Sequence, residues 1–366
     1  MKSRSVIYNV VSVWLCGILI IGLSASKPSL VRTTGQPLNE NSTSTIFLPL
    51  VTWDYGVALG VYTHGYLGSQ YTINTEVKSL DTWAAVTGGK RLSILGTFIQ
   101  IEDPTTIVEQ LEVPWENGYI VFVNMGSTHT SYEIANGSVD SLIKRWAAYY
   151  KIWLSKGGGR WAIIAPLQEM NGYWTPYGLN PTNFKLAYQR IQNIFKESGI
   201  SDNSVRWAFA PNGYQDPGDP PFEDYYPGDQ FVSIVAFSSY NFGLCPVAIK
   251  STLNPQWQTA ETIFSDYLSR MKKMAPNKPI YIAETGSTSY TKPNYPDQST
   301  KNQWLIDTYL YLAKEGVKGI LYLNFDSECD FAFYQPEGRQ LDGYRQAVSA
   351  PYFDYFSPSE LLRIIR

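Results

Sequence analysis

The chain has 366 residues, 29 basic against 32 acidic, for a net charge of −3 with no block of either sign. That balance excludes partners that require a basic patch, such as nucleic acid or an anionic membrane surface. With two histidines (His64 and His129), three cysteines and no HExxH, CxxC or Cys/His cluster, neither a catalytic zinc nor a redox dithiol is expected, and no cofactor or metal is called for. No GxGxxG or Walker-type loop occurs, and Gly157-Gly158-Gly159 reads as a turn before a strand. The chemistry must therefore come from carboxylates. Aromatic residues make up 15% of the chain, and Tyr and Trp combine a flat apolar face with a polar edge that suits sugar rings.

In chain order, residues 1–26 read as a secretory signal. Lys2 and Arg4 precede an uncharged, largely apolar run over 10–23, and the small residues Ser24, Ala25 and Ser26 follow. That run is short for a membrane span of about 20 residues, so cleavage is expected over anchoring, and the product is expected to be secreted or held at the cell surface. Residues 27–45, rich in Ser, Thr, Pro, Asn and Gly, cannot bury enough apolar surface to order themselves and read as a flexible linker. Asn41-Ser42-Thr43 and Asn136-Gly137-Ser138 fit the N-glycosylation pattern.

From residue 46 to 366 strand-like and helix-like segments alternate. Short apolar runs at 57–63, 92–101, 119–124, 161–167, 205–210, 231–237, 279–283 and 319–324 suit strands buried on both faces of a parallel sheet. Helical stretches are clearest at 138–155, 181–198, 259–273 and 299–315. In the first, Leu142, Ile143, Trp146, Ala147 and Tyr150 share one face. Eight strands alternating with helices predict an α/β protein of the (βα)8 TIM-barrel type, with a doubly wound open sheet as the weaker alternative.

Active-site residues of such barrels stand at the C-terminal ends of strands. The fourth strand runs into Gln168-Glu169-Met170-Asn171-Gly172-Tyr173-Trp174, and the seventh into Glu284-Thr285-Gly286-Ser287. The fifth ends in Pro211-Asn212 and the sixth in Ser238-Ser239-Tyr240-Asn241. Two glutamates thus face one mouth from opposite sides. Glycosidic cleavage needs one carboxyl to protonate the leaving oxygen and another to capture the oxocarbenium-like centre. Glu169 is assigned as acid/base, with a raised pKa, and Glu284 as an ionised nucleophile, with Tyr240 a candidate donor to it. Cys245 and Cys329 fall in loops after strands six and eight of the same mouth, and because an exported protein permits disulfides they are either bridged or two free thiols.

These segments resemble glycoside hydrolase family 26, best known for endo-β-1,4-mannanases, within the clan of retaining barrels with catalytic glutamates on strands four and seven. The family pattern H-E-M-N-G-x-W is met by Gln168 to Trp174, its Pro-Asn by Pro211-Asn212, its tyrosine after strand six by Tyr240, and its nucleophile segment by Ile282-Ala283-Glu284-Thr285-Gly286-Ser287. The resemblance implies an endo-hydrolase of mannan-type polysaccharide acting by double displacement, and a monomer is the default expectation. Gln168, Asn171, Trp174 and Tyr240 would line the substrate site. Three departures stand out: Gln168 replaces the family histidine, Ala165 an arginine, and the aromatic after strand eight could be only Tyr322 or Phe325. Such changes bear on sugar preference, because the common β-glycans differ at single hydroxyls. The alternatives are an endo-glucanase acting on mixed-linkage glucan, a xylanase on the same scaffold, or a non-catalytic polysaccharide-binding barrel.

Overall fold

The computed structural model describes residues 56–63, 75–251, 255–327 and 329–365. The expected signal, the linker, Asn41 and His64 lie outside them. Eight parallel strands form the barrel: β1 (Val57–Tyr62), β2 (Ile94–Phe98), β3 (Ile120–Met125), β4 (Ala162–Pro166), β5 (Val205–Phe209), β6 (Ile234–Asn241), β7 (Ile280–Ser287) and β8 (Gly319–Leu323). Each pairs with its sequence neighbour, and β8 closes on β1 through Ala58 opposite Gly319 up to Tyr62 opposite Leu323. The sheet has no free edge within the ring. A two-residue strand, Phe353–Asp354, adds to the start of β1, and an antiparallel hairpin, Tyr290–Lys292 with Tyr295–Pro296, follows β7.

The strands form because both their faces are apolar. On β1, Val57, Leu59 and Val61 pack outward under the helices while Ala58 and Tyr62 belong to the barrel interior. On β3, Val121, Val123 and Met125 point outward, and Ile120 and Phe122 inward. Helices α1 (Thr75–Ala85), α2 (Ile107–Glu116), α3 (Ser131–Asn136), α4 (Asp140–Ser155), α5 (Pro181–Glu197), α7 (Ala260–Met274), α8 (Gln298–Lys314) and α9 (Asp342–Val348) bury residues in the outer core, whereas α6 (Pro246–Ser251) and α10 (Pro358–Ile364) pack against the interior cluster. On α4 the predicted face is the buried one, with Ile143, Trp146, Ala147 and Tyr150 inside and Leu142 half-buried. Helix α5 starts at Asn180, whose side chain accepts from Asn183 N, with Pro181 in the first turn. Helices α1 and α2 lie outside the four clearest helical stretches, and Pro114 inside α2 weakens the helical signal there.

Three strands depart most from the expected boundaries. The predicted run 92–101 shortens to Ile94–Phe98, whereas β6 and β7 extend four residues past their apolar parts, to Asn241 and Ser287. Those polar extensions carry the site. A register shift interrupts the β6–β7 ladder: Phe237 pairs with Ile282, but Ser238 pairs with Glu284, so Ala283 is the extra residue of a β-bulge. On β7, Ile280 and Ile282 belong to the outer core and Tyr281 and Ala283 to the interior. Strict alternation would send Glu284 outward to the helices. The bulge reverses that and aligns Glu284 with Ser238, a common use of a bulge beside an active site.

Candidate active site

Glu284 sits on the inner side of the mouth, 6% exposed. Its Oε2 accepts from the Tyr240 hydroxyl at 2.6 Å and its Oε1 from Asn124 Nδ2 at 2.6 Å. Asn124, near the end of β3, also donates to Tyr62 OH at 3.0 Å, and Tyr62 donates to the carbonyl of the bulge residue Ala283 at 3.1 Å. Strands one, three, six and seven thus fix one carboxylate and its bulge. Burial, then the charges of Glu284 and Glu169, push the Tyr240 hydroxyl well above its usual pKa, so it remains a donor.

Glu169 follows β4 on an irregular turn. Leu167 and Glu169 both adopt left-handed backbone conformations (φ 56° and 59°), unusual for residues with side chains, and Glu169 N donates to Ala210 O at 2.8 Å. Its Oε2 accepts from Trp174 Nε1 at 2.8 Å, and its Oε1 from Asn212 Nδ2 at 2.8 Å and from the Ser238 hydroxyl. Ser238 is the Cα register partner of Glu284, and strands in register lie about 4.8 Å apart. One serine therefore ties the two carboxylates to a common position.

The electrostatics differ from the sequence expectation. Glu284, expected to be the readily ionised carboxyl, is pushed up, to about 8, by burial and then by the neighbouring charge of Glu169, with the bonds from Tyr240 and Asn124 opposing. Glu284 is buried and Glu169 is half-buried, so desolvation falls on the former. Because part of that rise comes from the charge of Glu169, the proton that Glu284 retains is coupled to the second carboxyl. The hydrogen-bond donors around each then decide where that proton rests.

Trp174 borders Glu169 through its indole nitrogen, half-buried, with the exposed Tyr173 ring set edge-on at 5.5 Å. Gly172 is required for this: a Cβ there would come within 2.3 Å of the indole ring. Gln168 is half-buried, and its Oε1 has no hydrogen-bond partner among the described residues. Asn171 has a different task from the substrate contact expected of it. It is 1% exposed, its amide donates to Asn212 O and Tyr214 O, both at 2.9 Å, and its oxygen accepts from Asn212 N at 2.8 Å. It holds Asn212 for Glu169, because every polar atom of its amide is spent on that loop. Of the two aromatics considered after strand eight, Tyr322 is fully buried, donating to Phe331 O at 2.9 Å and accepting from Ser287 N at 3.0 Å. Phe325 is half-buried. The ring of that loop that reaches the site is Phe331, 5.5 Å from Tyr240. The Cys245–Cys329 bridge is formed, with a Cα–Cα distance of 5.9 Å, and joins the loops after β6 and β8. Asn124 and Ser238 were not singled out from the sequence; the only signal was a polar residue at the C-terminal end of an otherwise apolar strand. Among the described residues no group of three or more His, Cys, Asp or Glu is placed to hold a metal ion.

The profile of Glycosyl hydrolase family 26 matches residues 161–248, the stretch from β4 through the loop after β6. Over that stretch the chain is similar to glycosyl hydrolase family 26. It is 25% identical over 274 residues to Endoglucanase H of Acetivibrio thermocellus, covering 72% of this chain and 28% of that protein. Over 95 residues it is 30% identical to a mannan endo-1,4-beta-mannosidase of Bacillus subtilis, covering 23% of this chain and 25% of that protein. The chain thus spans about a quarter of the length of both curated relatives. Its fold is similar to the catalytic domain of the family 26 endo-beta-1,4-mannanase of Bacillus sp. JAMB-750, with a TM-score of 0.62, 16% identity, and coverage of 86% of this chain and 91% of that one. The family 26 beta-mannanase BoMan26A of Bacteroides ovatus gives 0.59 and 17%, with 82% and 90% covered.

Proposed function

We propose that this barrel is a secreted retaining endo-hydrolase of a β-1,4-mannan-type backbone, with Glu169 as acid/base and Glu284 as nucleophile. The observation that carries the reading is the pair itself: Ser238 bonds the Glu169 carboxylate through its hydroxyl and stands in register with Glu284, and each carboxylate is held by its own donors. Tyr240 and Asn124 favour negative charge on Glu284, and burial keeps one proton on the pair. With the proton on Glu169, the pair is in the state that double displacement requires: Glu169 protonates the leaving glycosidic oxygen as Glu284 attacks the anomeric carbon. Water, deprotonated by Glu169, then releases the glycosyl group. Trp174 and Gln168 flank Glu169 and are the side chains offered to the sugars on either side of the cleaved bond, with Asn171 positioning rather than binding.

A second reading, hydrolysis of a mixed-linkage β-glucan, is favoured by two observations: Gln168 stands in place of the histidine of the resembled motif, and the relative that covers most of the chain is an endoglucanase by name. Reducing-end release from mannan, glucomannan, mixed-linkage glucan and xylans, with Glu169→Ala and Glu284→Ala beside the wild type, separates the readings. Activity on mannan and glucomannan that disappears in Glu284→Ala is the expected result. Activity on glucan alone would replace the substrate, and no activity on any polymer would leave the binding barrel.

A further inference from the structure

Helix α8 begins beside the loop after β8, and its first turn contains a lysine that the proposed chemistry does not use. Lys301 is fully buried, yet it is a cation in a protein interior, where an unpaired charge is costly. Its three N–H bonds are all taken by successive backbone carbonyls of one loop: Asp330 O, Phe331 O at 2.8 Å and Ala332 O at 2.9 Å. The same loop is tied by the Cys245–Cys329 bridge, by the Asp330 carboxylate accepting from Ser289 N at 2.9 Å and from the Thr288 hydroxyl, and by Tyr322 OH on Phe331 O. Burial pulls the Lys301 pKa down to about 7, with Asp330 and Asp326 opposing the fall and Arg339 adding to it. A neutral amine would offer only two N–H donors to three carbonyls.

What the loop carries explains the expense. Phe331 lies between Tyr240 and Phe242, with ring centroids 5.5 Å from each, and Tyr240 and Phe242 are themselves 5.5 Å apart. Gly286, two residues after Glu284, leaves the space for this cluster: a Cβ there would stand 3.2 Å from Phe331 Cδ1 and 3.3 Å from Tyr240 Cδ1. Phe331 thus packs against the ring whose hydroxyl donates to Glu284.

We propose that Lys301 is a positioning residue for Glu284, acting through a relay in which it pins the 330–332 carbonyls, the pinned loop seats Phe331, and Phe331 holds the Tyr240 hydroxyl on the carboxylate. This rests on the reading of Glu284 as nucleophile. Methionine keeps the length and most of the volume of the lysine and removes its donors, so Lys301→Met releases the three carbonyls without opening a large cavity. The relay predicts that kcat falls at least tenfold with KM within about twofold, because the interaction lost is realised at the reacting carboxylate. It also predicts strong non-additivity: in a Tyr240→Phe background, Lys301→Met costs less than threefold, since the hydroxyl it served is gone.

The test is that double-mutant cycle on the full chain with its disulfide intact, accompanied by amide hydrogen exchange over residues 329–334. Faster exchange in Lys301→Met together with the non-additive cycle supports the relay. An additive cycle, or full activity in Lys301→Met, overturns it. Should Lys301→Met fail to fold, Phe331→Leu breaks the relay one step later with the lysine untouched, and must show the same non-additivity with Tyr240→Phe. A wild type inert on every glycan would sink the hydrolase reading and this inference with it, while the exchange data would still report on the clamp alone.

Discussion

Removing the Tyr240 hydroxyl isolates the electrostatic argument. A hydrogen bond to a charged group contributes about 1.5–3 kcal/mol, and 1.36 kcal/mol corresponds to one pKa unit or a tenfold change. Tyr240→Phe deletes one of the two donors that hold charge on Glu284. Within the pair, the shared proton then moves toward Glu284 and away from Glu169, which is the unproductive arrangement. The plateau of kcat/KM should fall about tenfold to a hundredfold. The second signature follows from the sign of the shift. Glu284 is raised to about 8, and the Tyr240 bond lowers it, so deleting that bond raises it further. The alkaline limb, where the last proton of the pair is lost, should move up by about one to two units. The assay is kcat/KM on a soluble aryl glycoside or oligosaccharide from pH 5 to 10, which reports the free enzyme. A plateau reduced less than twofold, or an alkaline limb that stays or moves to lower pH, would refute the reasoning.

The other expected outcomes test separate parts of the account. Glu169→Gln removes the like charge that raises Glu284, so on an aryl glycoside whose leaving group needs no acid the activity should persist at alkaline pH and the limb near 8 should vanish; a retained limb would contradict the pairing. Because Glu284 is raised in the folded state, the native protein binds more protons than the unfolded chain between about pH 4.5 and 8, and stability contributed below that window is lost as pH rises through it. Thermal melts of Glu284→Gln should therefore gain on the wild type from pH 5 to 8, and a constant gap would count against a raised carboxyl. Opening the Cys245–Cys329 bridge, which spans a sequence separation of 84, should cost about 4.5 kcal/mol on the chain-entropy model, checked by denaturant titration of Cys245→Ser/Cys329→Ser. Asn171→Ala strands buried backbone groups of Asn212 and Tyr214 and loosens the Asn212 amide on Glu169; kcat should fall about tenfold or more with KM little changed, measured by steady-state kinetics.

The barrel was legible because a parallel strand covered on both faces must be a short apolar run, and eight such runs occur at intervals filled by amphipathic stretches. The strand ends were less so. An apolar criterion stops at Phe237 and Ala283, yet β6 and β7 continue through Ser238–Asn241 and Glu284–Ser287, where the side chains serve the site rather than the core. The two glutamates and Tyr240 could be read from their place after strands. The bulge at Ala283 could not, since no residue there breaks the pattern, and with it went the pairing of Glu284 with Ser238. Asn124 is one asparagine in Ile-Val-Phe-Val-Asn-Met, and only the closure of the ring brings it to Glu284 from β3. Asn171 sits inside the most informative motif of the chain and was read as touching sugar. Its burial and its three bonds to the loop after β5 are tertiary facts that a motif does not contain. The raised pKa of Glu284 was not legible for a related reason: it comes first from how deeply that carboxyl is buried, and neighbouring sequence is silent on depth.

The central claim is that Glu284 attacks the anomeric carbon, and trapping the covalent intermediate tests it most directly. An activated 2-deoxy-2-fluoro glycoside of the preferred sugar destabilises the oxocarbenium-like state of both steps while its good leaving group lets the first proceed, so the glycosyl-enzyme accumulates. Intact-protein mass spectrometry followed by peptide mapping should find one fluoroglycosyl label, on the peptide containing Ile280–Ser287 and at Glu284. A label on Glu169, or time-dependent turnover of the natural substrate with no label and inverted first-formed product, would contradict the account.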